Sequence, residues 1–130
     1  MHPDIFLLCS GILVIGYALL SNNVSRLRLR QQKAGDITEA ELTKAIRAHG
    51  NAGEYVPLFV ALFLYLHVTG AGNLLAGIAV IATLSRIFHA IGMLRIASIA
   101  ERHPLRFLGA LGTYLCLFAL GGFILARAFS

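Results

Sequence analysis

Between Arg47 and Pro57 the chain reads Arg-Ala-His-Gly-Asn-Ala-Gly-Glu-Tyr-Val-Pro, and it runs straight into an apolar stretch from Leu58 to Val68. On a helix Arg47, Asn51, Glu54 and Leu58 fall at i, i+4, i+7 and i+11, which is one face. A cation, an amide and a carboxylate are therefore stacked along one stripe. Further along, Arg86, His89 and Met93 stand at i, i+3 and i+7, again on one face. A guanidinium grips a carboxylate through two parallel hydrogen bonds, and a carboxylate receives an ammonium or amide N–H. Such a set suits a small ligand that carries both kinds of group.

The elements that must position these residues are membrane helices. Of the 130 residues, 58% are hydrophobic and only 13% charged, and the mean hydropathy is +0.77. Soluble domains carry roughly 25% charged residues, and a short chain cannot hide this much apolar surface in a water-facing fold. The net charge of +5 does not point to nucleic acid, because the basic residues flank apolar spans and form no aromatic-rich platform. Cys9 and Cys116 both lie in apolar runs, where a thiol behaves as a small hydrophobe. Their spacing suggests neither a metal site nor a disulfide framework.

The reading is all-α: one integral membrane domain over 1–130, a bundle of four transmembrane helices at about 5–24, 38–69, 74–99 and 105–128. The first run, Ile5 to Val24, is uncharged and near the ~20 residues a span needs; its positive charges follow the apolar run, unlike those of a signal peptide. Arg26, Arg28, Arg30 and Lys33 then read as an anchor. Asp36 with Glu39, or Thr38 with Glu41, offers a capping box for the second helix. Pro57 should kink that helix where its polar face ends. Gly70-Ala71-Gly72-Asn73 is a tight turn, and Pro104 suits the first turn of the fourth helix. Gly109, Gly112, Gly121 and Gly122 suit close helix packing.

The basic connections between the first and second spans, and between the third and fourth, place that end of the bundle in the cytoplasm and both termini on the opposite side. Glu54 is seven residues past Arg47, roughly 10 Å deeper at 1.5 Å per residue, and Arg86 is roughly 13 Å before Arg95 on the same rise. Glu54 and Arg86 should thus reach similar depths, and an ion pair between them would relieve both. Arg47, Asn51, Arg102 and Arg106 would ring the opening of a cationic pocket. Glutathione has the carboxylates and the amine such a pocket grips, and a nearby guanidinium would lower its thiol pKa toward the reactive thiolate.

The run Arg47 to Pro57 resembles the second-helix signature of the MAPEG family, the membrane-associated proteins in eicosanoid and glutathione metabolism. Arg86-x-x-His89 is similar to the family's third-helix arginine and its partner. Arg102-x-Pro104-x-Arg106 is similar to the segment opening the fourth helix of its prostaglandin E synthase branch, and Arg26-Leu27-Arg28-Leu29-Arg30 to the basic end of the first. The resemblance covers essentially the whole chain, and the short loops look most like small bacterial members. It implies a homotrimer of left-handed four-helix bundles in the bacterial inner membrane, with glutathione as co-substrate between subunits, no metal, and a lipophilic electrophile arriving through lipid. By position it implies glutathione contacts from Arg47, His49, Asn51, Glu54, Tyr55, Arg86 and His89, with Arg26 or Arg28 from a neighbouring subunit. Arg106 would stabilise the thiolate, with Arg102 its competitor. Met93 stands where members acting on eicosanoids usually carry tyrosine.

The leading expectation is a membrane glutathione transferase, with glutathione-dependent peroxidase activity as a companion. A non-catalytic lipid-binding or adaptor member is the alternative, although such members lose the charged gripping residues kept here. A small four-span efflux transporter is a third class, but it needs a carboxylate inside the first span, where Ile5 to Val24 has none. Without a bound ligand the polar network would serve helix packing alone. Tyr17, Tyr65 and Tyr114 read as packing or interfacial residues, His67 as an interfacial histidine, His2 and His103 as exposed, and Glu101 as the balance to Arg102.

Overall fold

In the computed structural model, which describes residues 4–130, four helices account for nearly the whole chain: α1 (Ile5–Ala34), α2 (Glu39–Val68), α3 (Asn73–Arg95) and α4 (Pro104–Arg127). Each is long and apolar enough to cross a membrane, so the protein is an integral membrane four-span bundle. Large apolar side chains such as Ile15, Leu19, Leu115 and Phe118 are exposed along its outside, as a lipid-facing surface requires.

Helix ends follow local chemistry. Asp4 caps α1, accepting from the Leu7 N–H at 3.0 Å. The helix continues through the basic stretch well past Val24, and stops at Gly35, whose φ of 63° is left-handed. Of the two capping boxes offered by the sequence, Thr38 with Glu41 forms: the Thr38 hydroxyl accepts from the Glu41 N–H, and the Glu41 carboxylate accepts from the Thr38 N–H at 2.9 Å. α2 remains helical through Pro57. Helix α3 ends at Arg95, short of the expected 99, because Ile96 turns extended and is fully buried, with its carbonyl receiving Lys44 Nζ at 2.8 Å. Pro104 occupies the first turn of α4 as expected.

Consecutive helices run antiparallel. Tyr17 of α1 stacks on His49 of α2, Asn51 of α2 meets Arg86 of α3, and Gly109 of α4 lies against His89 of α3. The apolar core fills the half of the bundle near the α2–α3 turn, where Phe59, Phe63 and Leu66 of α2 meet Phe6, Cys9 and Leu13 of α1, Ala79 and Ala82 of α3, and Cys116 and Leu120 of α4. Both cysteines are free and buried. At the other end, among the described residues, Ala48, Met93 and Ile96 form a small second cluster, and polar side chains take up part of the interior.

Two corrections concern residues read as bystanders. His103 is half-buried, and its ring Nδ1 accepts from the Leu105 N–H at 3.3 Å as the cap of α4. Glu101 does not pair with Arg102; its carboxylate accepts the Ala97 N–H at 2.5 Å and closes the turn after α3. His67 lies near the C-terminal end of α2, and its ring meets the Asp4 carboxylate at 2.9 Å. Gly121 and Gly122 face open space rather than a neighbouring helix. His2 lies outside the described residues.

Candidate functional site

A buried arginine organises the polar half. Arg86 is only 4% exposed, and a guanidinium at that depth needs partners. It finds three from two other helices. Nη2 donates to Asn51 Oδ1 at 2.6 Å, Nη1 donates to the Thr113 hydroxyl at 3.3 Å, and the guanidinium carbon lies 4.8 Å from the centre of the Tyr55 ring. Glu54 is not among them. The expected Glu54–Arg86 ion pair is absent, and the ion pairs among the described residues are Arg30–Asp36 and Asp4–His67. An amide and a hydroxyl take the two Nη groups while Nε has no partner, and the Glu54 carboxylate is exposed. Thr113 holds its own place by donating to the Gly109 carbonyl at 2.7 Å. The Tyr55 hydroxyl donates to that of Tyr114 at 3.2 Å, tying α2 to α4.

Around this network lie two clefts that share a wall. The first, about 400 Å³, is lined by Arg47, Asn51, Glu54, His89, Met93 and Arg106. The second, about 810 Å³, is lined by His89, Arg102, His103, Arg106 and Phe107. His89, Ile99 and Arg106 belong to both. His89 is 7% exposed and its Nδ1 has no hydrogen-bond partner. Arg106 is half-buried and restrained, with Nη1 donating to the Ile99 carbonyl at 2.9 Å and the Glu101 carbonyl at 3.3 Å. Its guanidinium is fixed at the junction of the clefts while charge capacity remains for an anion.

The sequence-derived residues thus fall into three groups. Arg47, Asn51, Glu54, His89 and Arg106 converge on one cleft. Half-buried Tyr55 and buried Arg86 do not line that cleft but border, with Asn51 and His89, a separate small space of about 30 Å³. Arg26, Arg28, His49 and Arg102 lie apart. Arg26 donates to Asn23 on its own helix at 3.1 Å, and Arg28 is exposed. The His49 ring lies parallel to Tyr17 at 4.8 Å, in the α1–α2 contact. Arg102 is exposed on the second cleft. Thr113 escaped the sequence reading; its signal was a threonine hydroxyl between Gly112 and Tyr114 in an otherwise apolar run.

The arrangement can hold an anionic, hydrogen-bonding ligand and place an arginine beside its reactive end. The comparisons with known proteins agree with a membrane setting. The chain is 34% identical over 94 residues to the inner membrane protein YecN of Escherichia coli strain K12, covering 71% of this chain and 70% of that protein. The YecN of Escherichia coli O6:H1 matches to the same extent. Residues 6–126, which span all four helices and every cleft residue above, match the MAPEG family, and the protein is a member of that family.

Proposed function

We propose that the protein is a membrane glutathione transferase of the inner membrane, assembled as a homotrimer of left-handed bundles. The observation that carries the reading is the convergence of Arg47, Asn51, Glu54, His89 and Arg106 on one cleft. Arg47 and Arg106 suit the two carboxylates of glutathione and its thiol, and Glu54 suits its ammonium. Trimerisation is supported by the exposure of Arg47 and Glu54 on a membrane helix, since lipid does not accept such a stripe and a neighbouring subunit with bound ligand would cover it. Arg26 or Arg28 would then come from that neighbour. The basic end, with the cleft, faces the cytoplasm by the distribution of arginine and lysine, and both termini face away.

In the reaction, Arg106 favours loss of the thiol proton to solvent and holds the thiolate by its positive charge. The thiolate sulfur attacks an electrophilic carbon of a lipophilic substrate. A carbon–sulfur bond forms, and the leaving group departs with its electron pair. Catalysis is thiol activation together with proximity. Arg106 is favoured over Arg102 for this role because it lines both clefts, where Arg102 lines one, and is held by backbone carbonyls.

The test is conjugation of glutathione to an activated aryl halide by protein in lipid nanodiscs. Arg106→Ala should lower kcat/KM by a factor of roughly 100, in the range expected for loss of a charge-stabilising group; Arg102→Ala should lower it less than fivefold. Full activity in Arg106→Ala would remove the assignment, and no conjugation above the uncatalysed rate by the wild type would remove the transferase reading.

A further inference from the structure

Resting on that reading, we propose that Gly92 and Gly109 are positioning residues that set where Arg106 and His89 stand. The two helices that carry these side chains meet through a reciprocal contact. Gly92 of α3 lies beneath Arg106 of α4, and Gly109 of α4 lies beneath His89 of α3. Each glycine is three residues from the functional residue on its own helix, so the two pairs stack as successive turns of an antiparallel contact. A Cβ on Gly92 would meet the Arg106 backbone nitrogen, with Arg106 Cα at 2.8 Å and Cβ at 2.9 Å. A Cβ on Gly109 would meet the His89 backbone nitrogen, the Ser85 carbonyl at 2.5 Å and His89 Cβ at 2.7 Å. None of these is the end of a flexible side chain. Relief requires that the first turn of α4 move away from α3.

That movement bears on chemistry because of what Arg106 holds. Its guanidinium reaches back to the Ile99 and Glu101 carbonyls, in the connection that α3 hands to α4. Displacing the helix start changes that reach and takes the cation off the wall shared by the two clefts. The gripping residues Arg47, Asn51 and Glu54 belong to α2, which the added methyl does not touch. The two glycines therefore act on thiol activation through Arg106 and leave the α2 share of the ligand grip in place. Gly121 and Gly122 of α4, by contrast, face open space and touch no neighbouring helix.

The experiment has two arms on intact wild type, Gly92→Ala, Gly112→Ala, Gly112→Ala with Ser85→Ala, and Gly121→Ala, all in lipid nanodiscs. The first arm needs no ligand. The ¹⁵N resonance of the Arg106 side chain, assigned by its loss in Arg106→Lys, should be protected from solvent exchange in wild type and Gly121→Ala, and unprotected in Gly92→Ala. The second arm titrates the ultraviolet absorbance of the thiolate of bound glutathione. Its midpoint should rise by about one pH unit in Gly92→Ala, a tenfold loss of thiolate below the midpoint, while the glutathione Kd changes less than threefold. Gly112→Ala pushes only on the Ser85 side chain; it should show a smaller shift of the same sign, reversed by Ser85→Ala. Should Gly92→Ala not fold, that reversal carries the decision. Protection and midpoint unchanged in folded Gly92→Ala, or a Gly112→Ala shift that Ser85→Ala does not reverse, overturns the proposal. A wild type that binds no glutathione removes the functional reading instead, and the first arm still decides the positioning.

Discussion

The two ends of the bundle are built on opposite terms. At the end near the α2–α3 turn, Phe59, Phe63 and Leu66 are essentially inaccessible and the connection is a tight turn, with Gly70 at a φ of 64°. There the start of α1 is fastened to the end of α2 by the Asp4 carboxylate, which caps α1 and meets His67. At the basic end the interior holds Arg86 and His89, the connection from Ile96 to His103 is long, and two clefts open beside it. One end gains its order from packing, and the other gives up packing for hydrogen bonds and charge. In lipid there is little hydrophobic force between helices, so close van der Waals contact must hold the first end, and at the second each buried polar group without a partner costs stability.

Substitutions at each end should therefore fail differently. The largest effect is expected from Phe63→Ala, which should cost roughly 3–5 kcal/mol as a large aromatic cavity, measured by thermal unfolding in detergent; the glutathione affinity of the folded fraction should stay within about twofold. Next is Asn51→Ala, which leaves the Arg86 cation short of its 2.6 Å partner. A hydrogen bond to a charged group is worth about 1.5–3 kcal/mol, so stability and glutathione binding should fall together. A fall in only one of them would separate the network from the site. Arg47→Ala and Glu54→Ala, at side chains exposed in the single bundle, should lower the melting temperature less than Asn51→Ala does, while affinity falls about tenfold or more.

The smallest effect belongs to the fastened end. The Leu7 backbone N–H, and then His67, hold the Asp4 carboxyl below its ordinary value. A carboxyl lowered by folding stabilises the fold above its unfolded pKa, and that contribution is lost as pH falls through the folded value. The unfolded value is about 3.9. Asp4→Asn should therefore lower the melting temperature slightly at neutral pH and not at all at the acid end of a pH series. An equal loss at every pH would point to the cap alone and not to charge.

Much of this division was legible in the sequence. The polar stripe Arg47–Asn51–Glu54, the four apolar runs, the Thr38–Glu41 box and the place of Pro104 all follow from spacing within one helix. What escaped depends on two helices at once. Periodicity puts Glu54 and Arg86 at similar depths, but it does not say which α2 residue faces the guanidinium; the helix register selects Asn51, one turn nearer the basic end. The end of α3 escaped because nothing local breaks it at Arg95; the tertiary bond from Lys44 to the Ile96 carbonyl accompanies the break. Nothing local marks Gly92, and only the backbone of α4 lying on it shows its weight.

The most direct measurement is calorimetry of glutathione binding to the detergent-purified protein, beside Arg47→Ala and Glu54→Ala. Saturable binding by the wild type, lost in both variants while their assembly size and helicity are unchanged, is the predicted result. A wild type that takes up no glutathione, or variants that bind as well as it does, would contradict the assignment of this cleft.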